Sequence, residues 1–192
     1  MSAAHADLAT ADRMAQNAAA APAAVATDLQ AVWTLLDTVT DPEIPVITIR
    51  ELGILRDVRL RNGEIEVVIT PTYSGCPAMG QIEDDVRAVL QAHGVAARVV
   101  TQLAPAWTTD WMTESGRNRL REYGIAPPHT RAGCNLVQFT TKRIAKHEEP
   151  AVTCPRCGSG NTTETSHFGS TACKALYRCL DCMEPFDLFK PH

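Results

Sequence analysis

Cys154-Pro155-Arg156-Cys157 and Cys179-Leu180-Asp181-Cys182 are two Cys-x-x-Cys pairs with 21 residues between them. A two-residue gap lets both sulfurs of a pair face one ion. Two such pairs place four thiolates at the corners of a tetrahedron, which is what a structural Zn²⁺ site requires. Gly158, directly after the first pair, permits the tight backbone of a metal knuckle. Between the pairs, Thr162 to Phe168 and Ala172 to Cys179 read as two strands. Residues 151–192 are too few for an ordinary core, and a bound metal would supply the missing stability. The segment is therefore expected to form a zinc β-ribbon held by Cys154, Cys157, Cys179 and Cys182. Four thiolates also suit iron, so the donor set leaves the metal open. His167 and Cys173 lie between the pairs as substitute ligands. With four better-spaced thiolates present, both are assigned to packing.

The chain has 192 residues, enough for one medium domain and a small one. Apolar residues make up 45% but aromatic residues only 5%, so the core must be mostly aliphatic. The formal net charge of −4 argues against a general nucleic-acid binder. Residues 151–192 themselves balance four basic against four acidic side chains, leaving little attraction for phosphates. No apolar run approaches the ~20 residues that cross a bilayer. Seven cysteines, four of them in metal-type pairs, fit a reducing cytoplasm better than a disulfide framework. Thirteen of the first 26 residues are alanine, interrupted by Asp7, Asp12 and Arg13. Residues 1–27 read as a disordered tail without the basic start and apolar stretch of a signal peptide.

Residues 28–126 read as a compact α+β domain, a small mixed α/β unit containing a β-hairpin. A helix is expected over Asp28 to Val39, with Leu29, Val32, Trp33 and Leu36 near one face and Thr27 as cap. Pro42 and Pro45 end it. Ile54 to Leu60 and Ile65 to Ile69 flank Asn62-Gly63, a strong hairpin signal. A second helix should start near Pro77 and stop at Gly94, burying Met79, Ile82, Val86, Val89 and Leu90. Val95 to Leu103 reads as a third strand. Trp107, Trp111 and Leu120 are placed in a helical segment ending near Tyr123-Gly124. Residues 127–150 read as a basic, solvated linker with few contacts between the two domains. Val137 and Phe139 form a candidate short strand there, and Cys134 is taken as a neutral thiol.

Cys76 sits in Thr70-Pro71-Thr72-Tyr73-Ser74-Gly75-Cys76-Pro77, between a strand and a helix. At a helix mouth, free N–H groups would stabilise its thiolate and make it a nucleophile or a metal ligand. A buried structural thiol is the other reading, and the local residues do not choose. Ile82 stands where a phosphatase loop needs arginine, and Met79 where a thioredoxin-type pair needs cysteine. A Cys-His hydrolase would need a histidine, and His93, at the far end of the same helix, is the only one in this domain.

Asp41-Pro42-Glu43-Ile44-Pro45, Glu51-Leu52-Gly53-Ile54 and the Cys76 loop together resemble the SufT-like iron–sulfur assembly domain. The segment Phe168-Gly169-Ser170-Thr171-Ala172-Cys173-Lys174-Ala175-Leu176-Tyr177-Arg178-Cys179, ending in Glu184-Pro185-Phe186, narrows the likeness. With both halves, the chain resembles the PaaD-like accessory subunits of bacterial phenylacetyl-CoA epoxidases. The resemblance implies a cytoplasmic accessory factor rather than an enzyme, assembling or maintaining iron centres in the oxygenase and reductase subunits of that system. It maps an iron or cluster contact onto Cys76, Asp41 and Glu43, while the two carboxylates also suit the capping of a turn. Thiolates suit iron–sulfur clusters, but one thiol cannot hold a cluster alone. A homodimer, a partner chain or a further ligand would have to complete the site. A non-catalytic docking subunit is the competing function, with Met183, Pro185, Phe186 and Phe189 as its contact surface.

Overall fold

The computed structural model describes residues 28–129 and 151–191. Thr27, the alanine-rich tail, Cys134, Val137 and Phe139 lie outside the described residues.

Helix α1 spans Leu29–Leu36, and Asp28 caps it by accepting a hydrogen bond from the Gln30 N–H at 2.9 Å. Its buried side chains, Val32 and Leu36, are one turn apart, as an amphipathic helix requires. Two short antiparallel strands follow, β1 (Thr40–Asp41) and β2 (Ile44–Thr48). The prolines that end the helix thus sit in a small hairpin. The main hairpin is β3 (Leu55–Arg61) and β4 (Glu64–Ile69). Asn62 and Gly63 both take positive φ, 54° and 81°, which matches the twist of a two-residue turn to that of its strands.

Helix α2 (Met79–Ala92) buries Ile82, Val86 and Leu90 at four-residue spacing and ends before Gly94 at φ 68°. It carries the chain across to β5 (Ala97–Thr101), which lies parallel to β4 and completes the order β3-β4-β5. Trp107 is not helical. It lies in the stretch before a single 3₁₀ turn (Thr109–Trp111), and its indole N–H donates to the Leu52 carbonyl at 3.1 Å. Helix α3 (Glu114–Tyr123) is capped by Thr113 at its start and by Gly124, at φ 97°, at its end.

Beyond the connector, the ribbon forms β7 (Thr162–Ser166), β8 (Lys174–Cys179) and a third strand not expected from the sequence, β9 (Pro185–Phe189). A fourth strand, β6 (Ile125–Ala126), comes from the first domain and pairs in parallel with β9. The sheet order is β6-β9-β8-β7, so one sheet draws on both halves of the chain. Successive side chains of β9 point to opposite faces. Phe186 and Leu188 join a ribbon core with Ala126, Cys154, Ala175 and Cys179. Phe189, on the other face, enters the aliphatic core of the first domain, its ring centroid 5.9 Å from that of Trp107. Cys173 enters the same core.

The expectation of few contacts between the halves is therefore corrected, because β9 carries apolar side chains on both faces. The expected docking surface is corrected too. Phe186 and Phe189 are 4% and 1% exposed and serve the two cores, which leaves the exposed Pro185 and Met183, the latter 52% exposed, at the knuckle. Among the described residues, no helix is long and apolar enough to cross a membrane.

Candidate metal sites

The first site is in the ribbon. One donor atom from each of Cys154, Cys157, Cys179 and Cys182 lies within 4.8 Å of every other. The Cys154–Cys182 sulfurs are 3.8 Å apart and the Cys157–Cys179 sulfurs 3.6 Å apart. A tetrahedron with metal–sulfur bonds of about 2.3 Å has edges of about 3.8 Å, so the four sulfurs fit one tetrahedral ion. The backbone builds this spacing. The Gly158 N–H donates to the Cys154 carbonyl at 2.9 Å, and the Cys182 N–H reaches the Cys179 sulfur at 3.5 Å. Each pair is followed by a residue at positive φ, Gly158 at 78° and Met183 at 66°. The knuckles are tied together by Asp181, which accepts from Ser159 Oγ and, at 2.7 Å, from Asn161 Nδ2. N–H groups of Cys182 and Asp181 lower the Cys179 thiol to about 7, which favours the thiolate form that a metal ligand needs. His167 is not among these four; its ring pairs with Glu164 at 3.4 Å.

The second site lies where the halves meet. Asp41 is buried, and its Oδ1 accepts from the N–H groups of Glu43 and Ile44 at 2.8 and 2.9 Å. It thus closes the turn at Pro42 and fixes the direction of Glu43. Cys76 is half-buried, two residues ahead of the Ala78 cap of α2. Only the Ala78 N–H reaches its sulfur, and burial outweighs it. With Glu43, Asp41 and Cys173 adding negative charge, the Cys76 thiol is pushed up to about 11. The expectation of a thiolate stabilised by the helix mouth is corrected accordingly. Burial also raises Asp41, against its two amide hydrogen bonds. Burial and then the Asp41 charge raise Glu43.

The sequence reading assigned Cys173 to packing, but its thiol is bonded to polar groups. It lies 3.0 Å from Thr171 Oγ1 and donates to Glu43 Oε2 at 3.9 Å. Lys174, buried beside it, faces Asp187 at 3.8 Å and also attracts Asp41 and Glu43. Tyr73 closes the group, its phenol raised by burial and then by the charges of Cys76, Cys173 and Glu43. Asp41, Glu43 and Cys76 act on one another electrostatically, and Cys173, Tyr73 and Lys174 belong to the same group. No spacing rule marks Cys173, because its neighbours come from the other domain. By contrast, Glu51-Leu52-Gly53-Ile54 is scaffold. Glu51 accepts from the Thr48 N–H at 3.1 Å and pairs with Arg119 at 3.0 Å.

Comparison with known proteins divides the chain in the same way. A family described as "Iron-sulfur cluster assembly protein" matches residues 29–101, and one described as "PaaD zinc beta ribbon domain" matches residues 139–190. A protein of Escherichia coli (strain K12), provisionally named as a subunit of the 1,2-phenylacetyl-CoA epoxidase, is 50% identical over 160 residues. That match covers 83% of this chain and 90% of the relative. The chain belongs to the PaaD family of epoxidase subunits. Two further matches are shorter. An iron–sulfur protein maturation auxiliary factor of Porphyromonas gingivalis is 36% identical over 83 residues, covering 42% of this chain and 78% of the relative. A DUF59 domain from Bacillus anthracis, solved by crystallography, aligns at 30% identity and a TM-score of 0.44 over 47% of this chain and 89% of that one.

Proposed function

We propose that this chain is an accessory maturation factor of a phenylacetyl-CoA epoxidase, receiving iron or an iron–sulfur unit at Cys76 and passing it to a client subunit. It acts in the cytoplasm on the oxygenase or the reductase and catalyses no step of the epoxidation. The observation that carries this reading is the half-buried Cys76 thiol, which feels the charges of Asp41 and Glu43 from the neighbouring turn. The family supports the setting, since the first domain matches an iron–sulfur cluster assembly family and a relative of this chain is an iron–sulfur maturation factor. Cys76 offers a soft ligand and the carboxylates hard ones, a set that suits iron held briefly. Asp41 closes the turn that carries Glu43, accepting from the Glu43 and Ile44 N–H groups. Tyr73 and the surrounding aliphatic side chains limit water around the cargo. In the ribbon, Cys154, Cys157, Cys179 and Cys182 would hold one Zn²⁺ as a structural ion that supplies folding energy and no redox chemistry.

The test is co-expression of the full-length chain, or its Cys76→Ala variant, with the other epoxidase components. The metal content of the purified oxygenase and reductase is then measured. Under-loaded centres and a parallel fall in epoxidase turnover are expected from the variant, with its own melting temperature nearly unchanged. Fully loaded centres would reject the assembly role. That result would favour the second reading, a docking subunit contacting the complex through Leu180 and Met183, which stand 47% and 52% exposed on the second knuckle.

A further inference from the structure

We infer that the cavity between helix α3 and the first ribbon knuckle is a binding site for a small organic oxyanion, a carboxylate or a phosphate, seated on the guanidinium groups of Arg117 and Arg121. Its lining includes no residue of the Cys76 loop. The site is therefore independent of the role proposed for that thiol.

The cavity measures about 310 Å³. One wall is a face of α3 carrying Arg117 and Arg121. The others come from the stretch after β6, up to His129, and from the knuckle at Thr153 and Pro155. The knuckle lies close on the end of the helix, because a Cβ on Gly124 would stand 2.6 Å from Arg156 Nη2.

The charges around this cavity are unmatched. Arg117 is 6% exposed, and its two terminal nitrogens donate to the Pro128 carbonyl at 2.6 Å and to the Thr109 carbonyl. Both acceptors are neutral. A guanidinium has five N–H bonds, and these acceptors take two of them. Arg121 donates to the neutral side chain of Asn118 at 2.7 Å. Among the described residues no carboxylate pairs with Arg117, Arg121 or Arg156. On the central sheet, by contrast, Arg59, Arg61 and Arg98 share Glu66. Buried charges are ordinarily paired, because desolvation without a counter-charge is costly. The cavity lining holds one acid, Glu114, against two arginines, on a chain whose net charge is −4.

The donors fit an oxyanion. Guanidinium groups meet the planar oxygens of a carboxylate or the oxygens of a phosphate through paired hydrogen bonds. The two carbonyls fix the plane of Arg117 before a ligand arrives, which lowers the ordering cost of binding. Pro127 and Pro155 add stiff apolar walls, so an organic body is accommodated beside the charged group. The volume lies at the small end of ligand pockets, which limits the ligand to a compact molecule. An anion held there touches α3 and the knuckle together.

The experiment titrates full-length protein, its ribbon filled with zinc, with sodium phosphate and separately with sodium benzoate in chloride buffer. Calorimetry gives the affinity, and amide NMR shifts give the place. Saturable binding with a Kd of about 1 mM or tighter is expected for at least one probe. The shifts should centre on Arg117, His129 and Thr153. The tighter probe identifies the head group, phosphate or a carboxylate on an apolar body. Arg121 is exposed, so Arg121→Ala should fold, and it should bind the same probe at least about tenfold more weakly. Arg87→Ala, which removes a cation of α2 outside the cavity, should bind as the wild type does. No saturable binding of either probe would overturn the inference. So would binding that Arg121→Ala leaves unchanged, or that both variants weaken equally, since equal weakening marks general charge attraction.

Discussion

Gly53 stands at φ 79°, and a Cβ there would lie 2.7 Å from the Trp111 carbonyl oxygen. Left-handed backbone and a contact with main chain act together, so no side-chain rearrangement relieves the clash. Gly53→Ala should destabilise the protein by about 2 kcal/mol or more, seen as a lower urea midpoint with an unchanged slope. Cys76 differs. It is half-buried on a loop, and Cys76→Ala should change stability by no more than about 1 kcal/mol in the same measurement. At this scale the sequence displayed the ribbon ligands and the Cys76 loop, because their chemistry is written in short spacings. It did not display Cys173 as a neighbour of Glu43. The two are 130 positions apart, and only the docking of one domain on the other brings them together. The direction in which the Cys76 thiol shifts was hidden for the same reason. The helix mouth is local, whereas the burial and all three opposing charges, of Glu43, Asp41 and Cys173, arrive from elsewhere in the fold.

The central strand β4 is held in register by charge. Glu66 lies opposite Arg59 on β3 and Arg98 on β5. It accepts from Arg59 Nε at 2.9 Å and also pairs with Arg98. Its side chain is 2% exposed, and the hydrogen bond from Arg59 leads the effects that hold its carboxyl below 4.5. A depressed carboxylate favours the fold above the unfolded-state pKa, and that contribution is lost as pH falls through the folded one. Stability should therefore decline below about pH 4.5, and Glu66→Gln should flatten this part of the acid-unfolding profile. An identical acid limb in wild type and variant would show that the pairing does not support the sheet. The elements themselves were legible where periodicity was strong, as in β3-β4 with its Asn62-Gly63 turn and in α2. Trp107 was misplaced into a helix because its aromatic spacing resembles a helical stripe. The residue is instead anchored by its hydrogen bond to Leu52.

Phe189 joins the domains as a core residue of one carried on a strand of the other. Phe189→Ala should cost about 3–5 kcal/mol. All three tryptophans, Trp33, Trp107 and Trp111, belong to the first domain, so their fluorescence reports that domain alone. Loss of a ribbon side chain is expected to lower their unfolding midpoint. Chelating the ribbon metal should do the same. A loss of about 4 kcal/mol would move the midpoint of a chain this size by roughly 8–16 °C. A tryptophan transition indifferent to both treatments would show that the first domain stands by itself. The sequence suggested that independence, because each half displays its own apolar pattern. A strand with two apolar faces looks the same whether it completes one core or joins two.

The parallel pairing of β6 with β9 also has a consequence for synthesis. Ribosomes deliver the chain from the amino end, and domains condense in that order. Residues 28–126 therefore emerge while the strand bearing Phe189 is still unmade. In that interval the place beside Trp107 is open to water, and Glu43 has no Cys173 beside it. The nascent protein thus meets the cell with an unfinished core, and translation itself delays the moment at which the two halves close on each other.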